Sequence, residues 1–138
     1  MKKIFSTILS LCILFSLCAC SACSAKELAT EKIRDIDFTV TEEKNIPEEL
    51  MTMIEEKGTS PFKLTYADQG ELYIAEGYGE QVTSGYSIEV KECFETKNAI
   101  YVHTNLIGPS KEEKIVETKT YPYIVIKLEF IDKNVVFQ

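Results

Sequence analysis

The stretch YSIEVKECFETKNAIYVHTNL, residues 86–106, decides the fold of this chain. Apolar and polar residues alternate in both of its halves, which is the two-residue period of a strand with one buried face. The polar tripeptide Thr96-Lys97-Asn98 separates the halves and is typical of a tight turn. The stretch therefore predicts two antiparallel strands that are neighbours in one sheet.

The same alternation recurs on both sides of this hairpin. Upstream, the alternating residues 62–66 run into the turn Asp68-Gln69-Gly70, and apolar residues return at 72 and 74. A first strand is predicted over 36–40, a long one over 121–130, and a short one over 135–137. Short strands with turn signals about every ten residues predict an antiparallel β-sandwich or half-barrel.

One helix is predicted before these strands. Pro47 suits the first helical position, where its missing N–H costs nothing. Leu50, Met53 and Ile54 form one apolar stripe at helical spacing, and Gly58 suits a left-handed end. The predicted fold class is therefore mainly β (α+β), with one N-terminal helix packed on the sandwich or half-barrel.

The N-terminus has the layout of an export signal. Met1-Lys2-Lys3 is followed by an uncharged apolar stretch from Ile4 to Leu17, which is short for a transmembrane helix. Leu17-Cys18-Ala19-Cys20 resembles the lipobox of bacterial lipoproteins. We expect residues 1–19 to be a signal peptide and Cys20 to carry diacylglycerol. The alternative is an ordinary secretory peptide that is cut near residue 22 or 25.

These boundaries predict a tether over residues 20–32 and one domain over residues 33–138, lipid-anchored at the outer face of the cell membrane. Loss of Lys2 and Lys3 with the signal changes the net charge from −7 to about −9. This charge excludes nucleic acid as an expected partner, because nucleic-acid binding needs a basic surface.

No catalytic arrangement is evident in the predicted domain. His103 is the only histidine and falls on the polar face of its strand, while Cys93 is the only cysteine after residue 32. The two could be adjacent across the Thr96-Lys97-Asn98 turn, but nearby Glu92 and Glu95 would raise the thiol pKa rather than lower it. We expect no enzyme activity, no metal site and no cofactor.

The segment Thr83-Ser84-Gly85-Tyr86 lies between a glycine-containing loop and a regular strand. It reads either as a plain turn, in which Gly85 supplies a positive φ, or as a protruding loop that offers backbone and Tyr86 to a partner. The residues favour the plain turn.

The chain resembles the PrcB family from about Phe38 onward, including the predicted helix and the Pro61-Phe62 start of the sheet. The similarity lies in GYGEQVTSGYSIEV at 77–90, Ile107-Gly108-Pro109, and YPYIVIK at 121–127. Ser84 stands where the family usually has glycine, which predicts strain if Ser84 needs a positive φ. The resemblance implies a lipoprotein that accompanies a secreted serine-type protease and supports its assembly or stability.

The leading hypothesis is therefore a non-enzymatic, lipid-anchored accessory domain for an exported protease. Its candidate contact residues are Thr83, Ser84, Gly85, Tyr86, Tyr121, Pro122 and Tyr123. One alternative is a cell-wall or small-ligand binding module that uses tyrosines 66, 73, 78 and 101 as stacking platforms. A second is a protease-inhibitor-like domain, because the turn is similar to a Thr-Gly-Tyr loop of immunoglobulin-like inhibitors. A third, disfavoured by the lack of a paired nucleophile, is an unrecognised enzyme.

Overall fold

The structure is a computed structural model that describes residues 30–138. Within this range no helix is long and apolar enough to cross a membrane. The predicted signal peptide 1–19, the lipidation site Cys20 and most of the tether 20–32 lie outside the described residues.

Residues 32–137 form two four-stranded sheets and a helix. The strands are β1 Lys32–Asp35, β2 Thr39–Val40, β3 Phe62–Asp68, β4 Glu71–Gly77, β5 Ser87–Thr96, β6 Ala99–Ile107, β7 Tyr123–Glu129 and β8 Asn134–Phe137, and the helix α1 is Glu48–Lys57. One sheet has the order β1-β5-β6-β8 and the other β2-β7-β4-β3. The predicted mainly β fold, an open sandwich with one helix, is confirmed. Every pair of neighbouring strands is antiparallel within these residues except β6 and β8, which run parallel.

The predicted hairpin over 86–106 is strands β5 and β6. Its register is regular except for a bulge between Val90 and Glu92. The buried hydroxyl of Thr96 closes the turn, because Thr96 Oγ1 accepts the Ala99 N–H at 3.1 Å. A polar side chain therefore satisfies backbone groups that the turn would otherwise leave unpaired inside the protein.

The core lies between the facing sides of the two sheets. Its most buried members are at most 1 % exposed and come from both sheets: Ile74, Ile100, Val102 and Ile126. Each such side chain contributes about 1.5–3 kcal/mol relative to full exposure. Inward positions alternate with outward ones as the sequence pattern predicts, except where bulges interrupt β1 and β5.

Helix α1 covers the outer side of the second sheet. Leu50 and Ile54 pack with Ala75 of β4 and Val125 of β7 in a second apolar cluster. Pro47 is the N-cap rather than the first helical residue, and Gly58 ends the helix with a φ of 58°. The helix prediction is confirmed to within one residue at its start.

The strand predicted over 36–40 is wrong as one continuous element. β1 pairs with β5 in one sheet, whereas β2 pairs with β7 in the other, so the chain crosses between the sheets after Asp35. Ile36 lies buried at the crossing and donates its N–H to the Cys93 carbonyl at 2.9 Å. Because the crossing breaks the strand, Val40 is 56 % exposed instead of buried with Ile36.

Replacing the fully buried Leu50 by alanine tests how much α1 contributes to the fold. We expect Leu50→Ala to lower the free energy of unfolding in urea by about 2–5 kcal/mol, because it leaves a cavity between the helix and the sheet. Thr52→Ala, on the exposed side of the same helix, should change it by less than about 0.5 kcal/mol. Equal effects of the two variants would mean that the helix does not depend on this contact.

Candidate functional site

Two loops are joined by hydrogen bonds at one end of the sandwich. Gln81 and Thr120 exchange backbone hydrogen bonds of 2.8 and 3.0 Å, and Thr120 Oγ1 donates to the Thr83 carbonyl at 2.7 Å. Ser84 N–H donates to the Val116 carbonyl at 3.0 Å, and Ser84 Oγ accepts the Val116 N–H at 2.9 Å. We call residues 79–86 together with residues 107–121 the loop surface.

The turn itself depends on Gly85 rather than on Ser84. Gly85 has a φ of 89°, and a Cβ at this position would lie 2.8 Å from Pro109 Cβ. Ser84 has no positive φ, so the condition for strain at that residue is not met. Ser84 instead makes the two hydrogen bonds to Val116, and Gly85 is exposed while Tyr86 is half-buried.

Apolar side chains on the loop surface are exposed to solvent. Of ten exposed large apolar residues in the described range, five belong to this surface: Val82, Ile107, Ile115, Val116 and Tyr121. Val82 is 72 % exposed, the largest value among them. Grouped exposed apolar residues on a protein surface are typical of an interaction site.

Glu80 links the two loops by side-chain contacts as well. Its carboxylate lies 3.0 Å from Lys119 Nζ and accepts the Tyr121 hydroxyl at 3.3 Å. The hydrogen bond and the negative charge of Glu80 raise the pKa of Lys119 above its ordinary value. Tyr121 is thus tied to the loop surface while the residue stays 41 % exposed.

Tyr121, Pro122 and Tyr123 also line a groove of about 250 Å³ next to helix α1. The opposite wall includes Ile54 and Glu55. Burial, and then the negative charges of Glu43 and Glu55, raises the pKa of the Tyr123 hydroxyl. The structure therefore places the two predicted contact segments at one end of the molecule, but only 121–123 reaches the groove.

A buried polar chain lies beside this groove and was not foreseen from the sequence. Thr104 Oγ1 donates to Glu76 Oε2 at 2.6 Å, and Tyr78 Oη lies 2.6 Å from the same Thr104 oxygen. Lys63 Nζ is 3.5 Å from the other oxygen of Glu76. The available signal was the alternation of β4, which places Glu76 on the inward face after Leu72 and Ile74.

Cys93 and His103 do not form a pair. Cys93 is opposite Val102 in the hairpin and packs in the core, whereas His103 is opposite Glu92 and is not part of that core. Burial, with a smaller effect from the charge of Asp35, raises the pKa of Cys93 to about 11. The Cys93 thiol therefore lacks the lowered pKa that an activated nucleophile needs.

The four tyrosines considered as stacking platforms lie in different parts of the fold. Tyr66 and Tyr73 are neighbours with ring centroids 6.4 Å apart, but Tyr101 stacks on Phe94 in the other sheet and Tyr78 is hydrogen-bonded to Thr104. The four tyrosines therefore do not build one stacking platform.

Among residues 30–138 no group of three or more His, Cys, Asp or Glu could hold a metal ion.

Comparison with known families places a match on the part of the chain that carries the loop surface. Residues 72–129 match the family model described as PrcB C-terminal. This range runs from β4 to β7 and includes both loops, Glu76 and Thr104, whereas helix α1 and β3 precede it. No curated protein and no solved structure matches the chain.

The buried thiol gives a direct test of this description of Cys93. We expect iodoacetamide at pH 8 to alkylate Cys93 at least about 100-fold more slowly in the folded protein than in urea, because both burial and the raised pKa suppress the thiolate. Mass spectrometry of the peptide that contains Cys93 measures the modified fraction. Similar rates with and without urea would contradict the buried position.

Proposed function

Because residues 72–129 of this chain carry the PrcB C-terminal domain, we propose that the protein is a non-enzymatic, lipid-anchored domain that binds an exported protease. In this proposal it supports the assembly or stability of a protease complex at the outer face of the membrane. The protease supplies the catalytic residues, and this chain supplies a binding surface.

The exposed apolar side chains of the loop surface are the observation that carries the proposal. Val82, Val116 and Tyr121 are exposed, yet the backbone beneath them is fixed by the hydrogen bonds between the two loops. A surface that is already ordered loses little conformational entropy on binding, so more of its contact energy appears as affinity. Tyr121 is the best candidate for an anchor, because tyrosine is enriched among residues that dominate interface energies.

The predicted contact residues have different roles in this proposal. Thr83 and Ser84 brace the turn, and Gly85 exposes backbone where a side chain would meet Pro109. Tyr121 and its neighbours Pro122 and Tyr123 extend the contact from the loops toward the groove beside α1. The partner would therefore cover one end of the sandwich rather than a sheet face.

Lipid attachment at Cys20 would hold the domain close to a membrane-associated partner. The tether enters β1 at Lys32, opposite Thr96, whereas the loop surface adjoins Ser87 and Ile107 at the other end of β5 and β6. Cys20 precedes the start of β1 at Lys32 by twelve residues. Two acyl chains provide stable membrane residence, since each buried methylene contributes about 0.8 kcal/mol. The negative charge of the domain opposes adhesion to anionic lipid headgroups and favours a position away from the bilayer surface.

Cys20 and Cys23 form a matched pair for testing the anchor. We expect Cys20→Ser to abolish incorporation of an alkyne-tagged palmitate in growing cells and to remove the protein from the washed membrane fraction. Cys23→Ser should leave both unchanged, because only Cys20 follows the Leu-Cys-Ala sequence of the lipobox. Labelling that survives Cys20→Ser would rule out this anchor.

Replacing exposed apolar residues of the loop surface tests partner binding. We expect the triple variant Val82→Ser, Val116→Ser, Tyr121→Ala to reduce crosslinking to an exported protease in membranes at least about tenfold. Loss of an interface anchor typically costs 2 kcal/mol or more, and 1.4 kcal/mol is a tenfold change. Quantitative mass spectrometry of the crosslinked material provides the measurement.

The matched control carries the same kinds of change elsewhere on the surface. Val40→Ser, Val136→Ser and Phe130→Ala replace residues that are 56 %, 37 % and 46 % exposed and lie outside the loop surface. This control should crosslink like the wild type, and both triple variants should keep the far-ultraviolet circular dichroism of the native fold. Equal crosslinking by both triple variants would show that the loop surface is not the interface.

A further inference from the structure

The hydrogen bonds that link Tyr78, Thr104 and Glu76 all run toward the carboxylate. A threonine hydroxyl has one proton, and the Thr104 proton is directed at Glu76 Oε2 at 2.6 Å. The Tyr78 hydroxyl, 2.6 Å from Thr104 Oγ1, must therefore donate to Thr104. Both hydroxyl protons point toward the carboxylate, so these hydrogen bonds stabilise negative charge on Glu76.

The second oxygen of Glu76 is poorly satisfied. The Glu76 side chain is only 8 % exposed, and its Oε1 lies 3.5 Å from Lys63 Nζ. That distance exceeds the 2.7–2.9 Å of a charge-assisted hydrogen bond. Among residues 30–138 Oε1 is not one of the fully buried, unpartnered side-chain atoms, so it keeps some contact with solvent. A charged donor at hydrogen-bond distance would interact with it more strongly than the distant ammonium does.

Lys63 is a loosely held counter-ion. Its side chain is 51 % exposed, and its ammonium lies 5.3 Å from the centre of the Phe137 ring as well as near Glu76. The ammonium can leave the carboxylate without leaving solvent or the aromatic face. The position beside Glu76 is therefore open to replacement by a second cation.

Glu76 faces a cleft that is large enough for a long side chain. The cleft has a volume of about 500 Å³ and is lined by residues 61–63 and 76–78. Pro61 and Phe62 supply its apolar wall, and Gly77 has no side chain where a Cβ would overlap the Phe62 ring. The lining of this cleft thus combines apolar groups of Pro61 and Phe62 with the carboxylate of Glu76, a combination that suits a cation carried on an aliphatic stem.

We propose that this cleft binds a basic side chain, preferably arginine, of the protein partner. The guanidinium replaces Lys63 Nζ beside Glu76 Oε1, and its aliphatic stem packs on Pro61 and Phe62. This proposal rests on the proposed function, which supplies a protein partner. Charge supports it, because the chain has a net charge of −7 and the adjoining groove shares Phe62 and Gly77 with the cleft and carries Glu55.

Titration of the detergent-solubilised full-length protein with a small probe tests the cleft without the partner. The probe is N-acetyl-arginine-N-methylamide, and its uncharged control is the corresponding citrulline compound, which has nearly the same shape. We expect the arginine probe to give saturable amide shifts at Gly77 and Tyr78 in heteronuclear NMR spectra, with a Kd in the millimolar range. The citrulline compound should bind at least about tenfold more weakly, because it lacks the charge.

Two substitutions change the affinity in opposite directions. Glu76→Gln keeps the acceptor for Thr104 but removes the charge, so we expect at least a tenfold loss of arginine affinity. Lys63→Met removes the competing ammonium and keeps an aliphatic side chain, so we expect about a threefold or larger gain. A residue that only stabilises the fold would not produce a gain, and urea unfolding shows whether Glu76→Gln remains folded.

Several outcomes would overturn the proposal. Equal shifts with citrulline would show that the charge is not recognised, and a loss of affinity in Lys63→Met would show that Lys63 is not a competitor. If Glu76→Gln is unfolded, the Lys63→Met variant alone tests the proposal: a gain in arginine affinity supports it, and a loss contradicts it. If arginine does not bind but the protease still crosslinks through the loop surface, the cleft is ruled out as a binding site and the proposed function stands.

Discussion

The structure depends on burial of the two inner sheet faces against each other. Ile74 and Ile126 of one sheet meet Ile100 and Val102 of the other with at most 1 % exposure. This constraint fixes which side of every strand is available for chemistry, because a side chain on the inner face is enclosed. It encloses the only thiol in the described part of the chain and excludes His103 from contact with it.

The two parts of the candidate site follow from how this core ends. At one end of β4 the inward position is taken by Glu76, which is stabilised by hydroxyls instead of by apolar packing. Beyond the strand ends, the loops that connect β4 to β5 and β6 to β7 pair with each other and expose apolar side chains. An ordered apolar surface thus lies next to a cleft with a buried charge. A partner that covers both would gain affinity from the first and specificity from the second.

Local sequence patterns predicted the elements whose formation is local. The hairpin over 86–106 and the helix near Leu50 follow from alternation, turn residues and helix-end signals. The family resemblance is confirmed over residues 72–129. Features that depend on the relation between the sheets were not predictable in this way: the crossing near Ile36, the parallel pairing of β6 with β8, and the contact of Glu76 with Thr104 across 28 residues. A two-residue period reports which face is buried but not which sheet a strand joins.

Site-specific photocrosslinking tests the central claim, that the paired loops contact an exported protease, most directly. A photoreactive phenylalanine derivative would replace Val82 on the loop surface in one strain and the similarly exposed Val40 on edge strand β2 in another. We expect irradiation of intact cells to give an adduct with an exported protease from position 82 and none from position 40. An adduct from position 40 alone, or none from either position, would contradict the account.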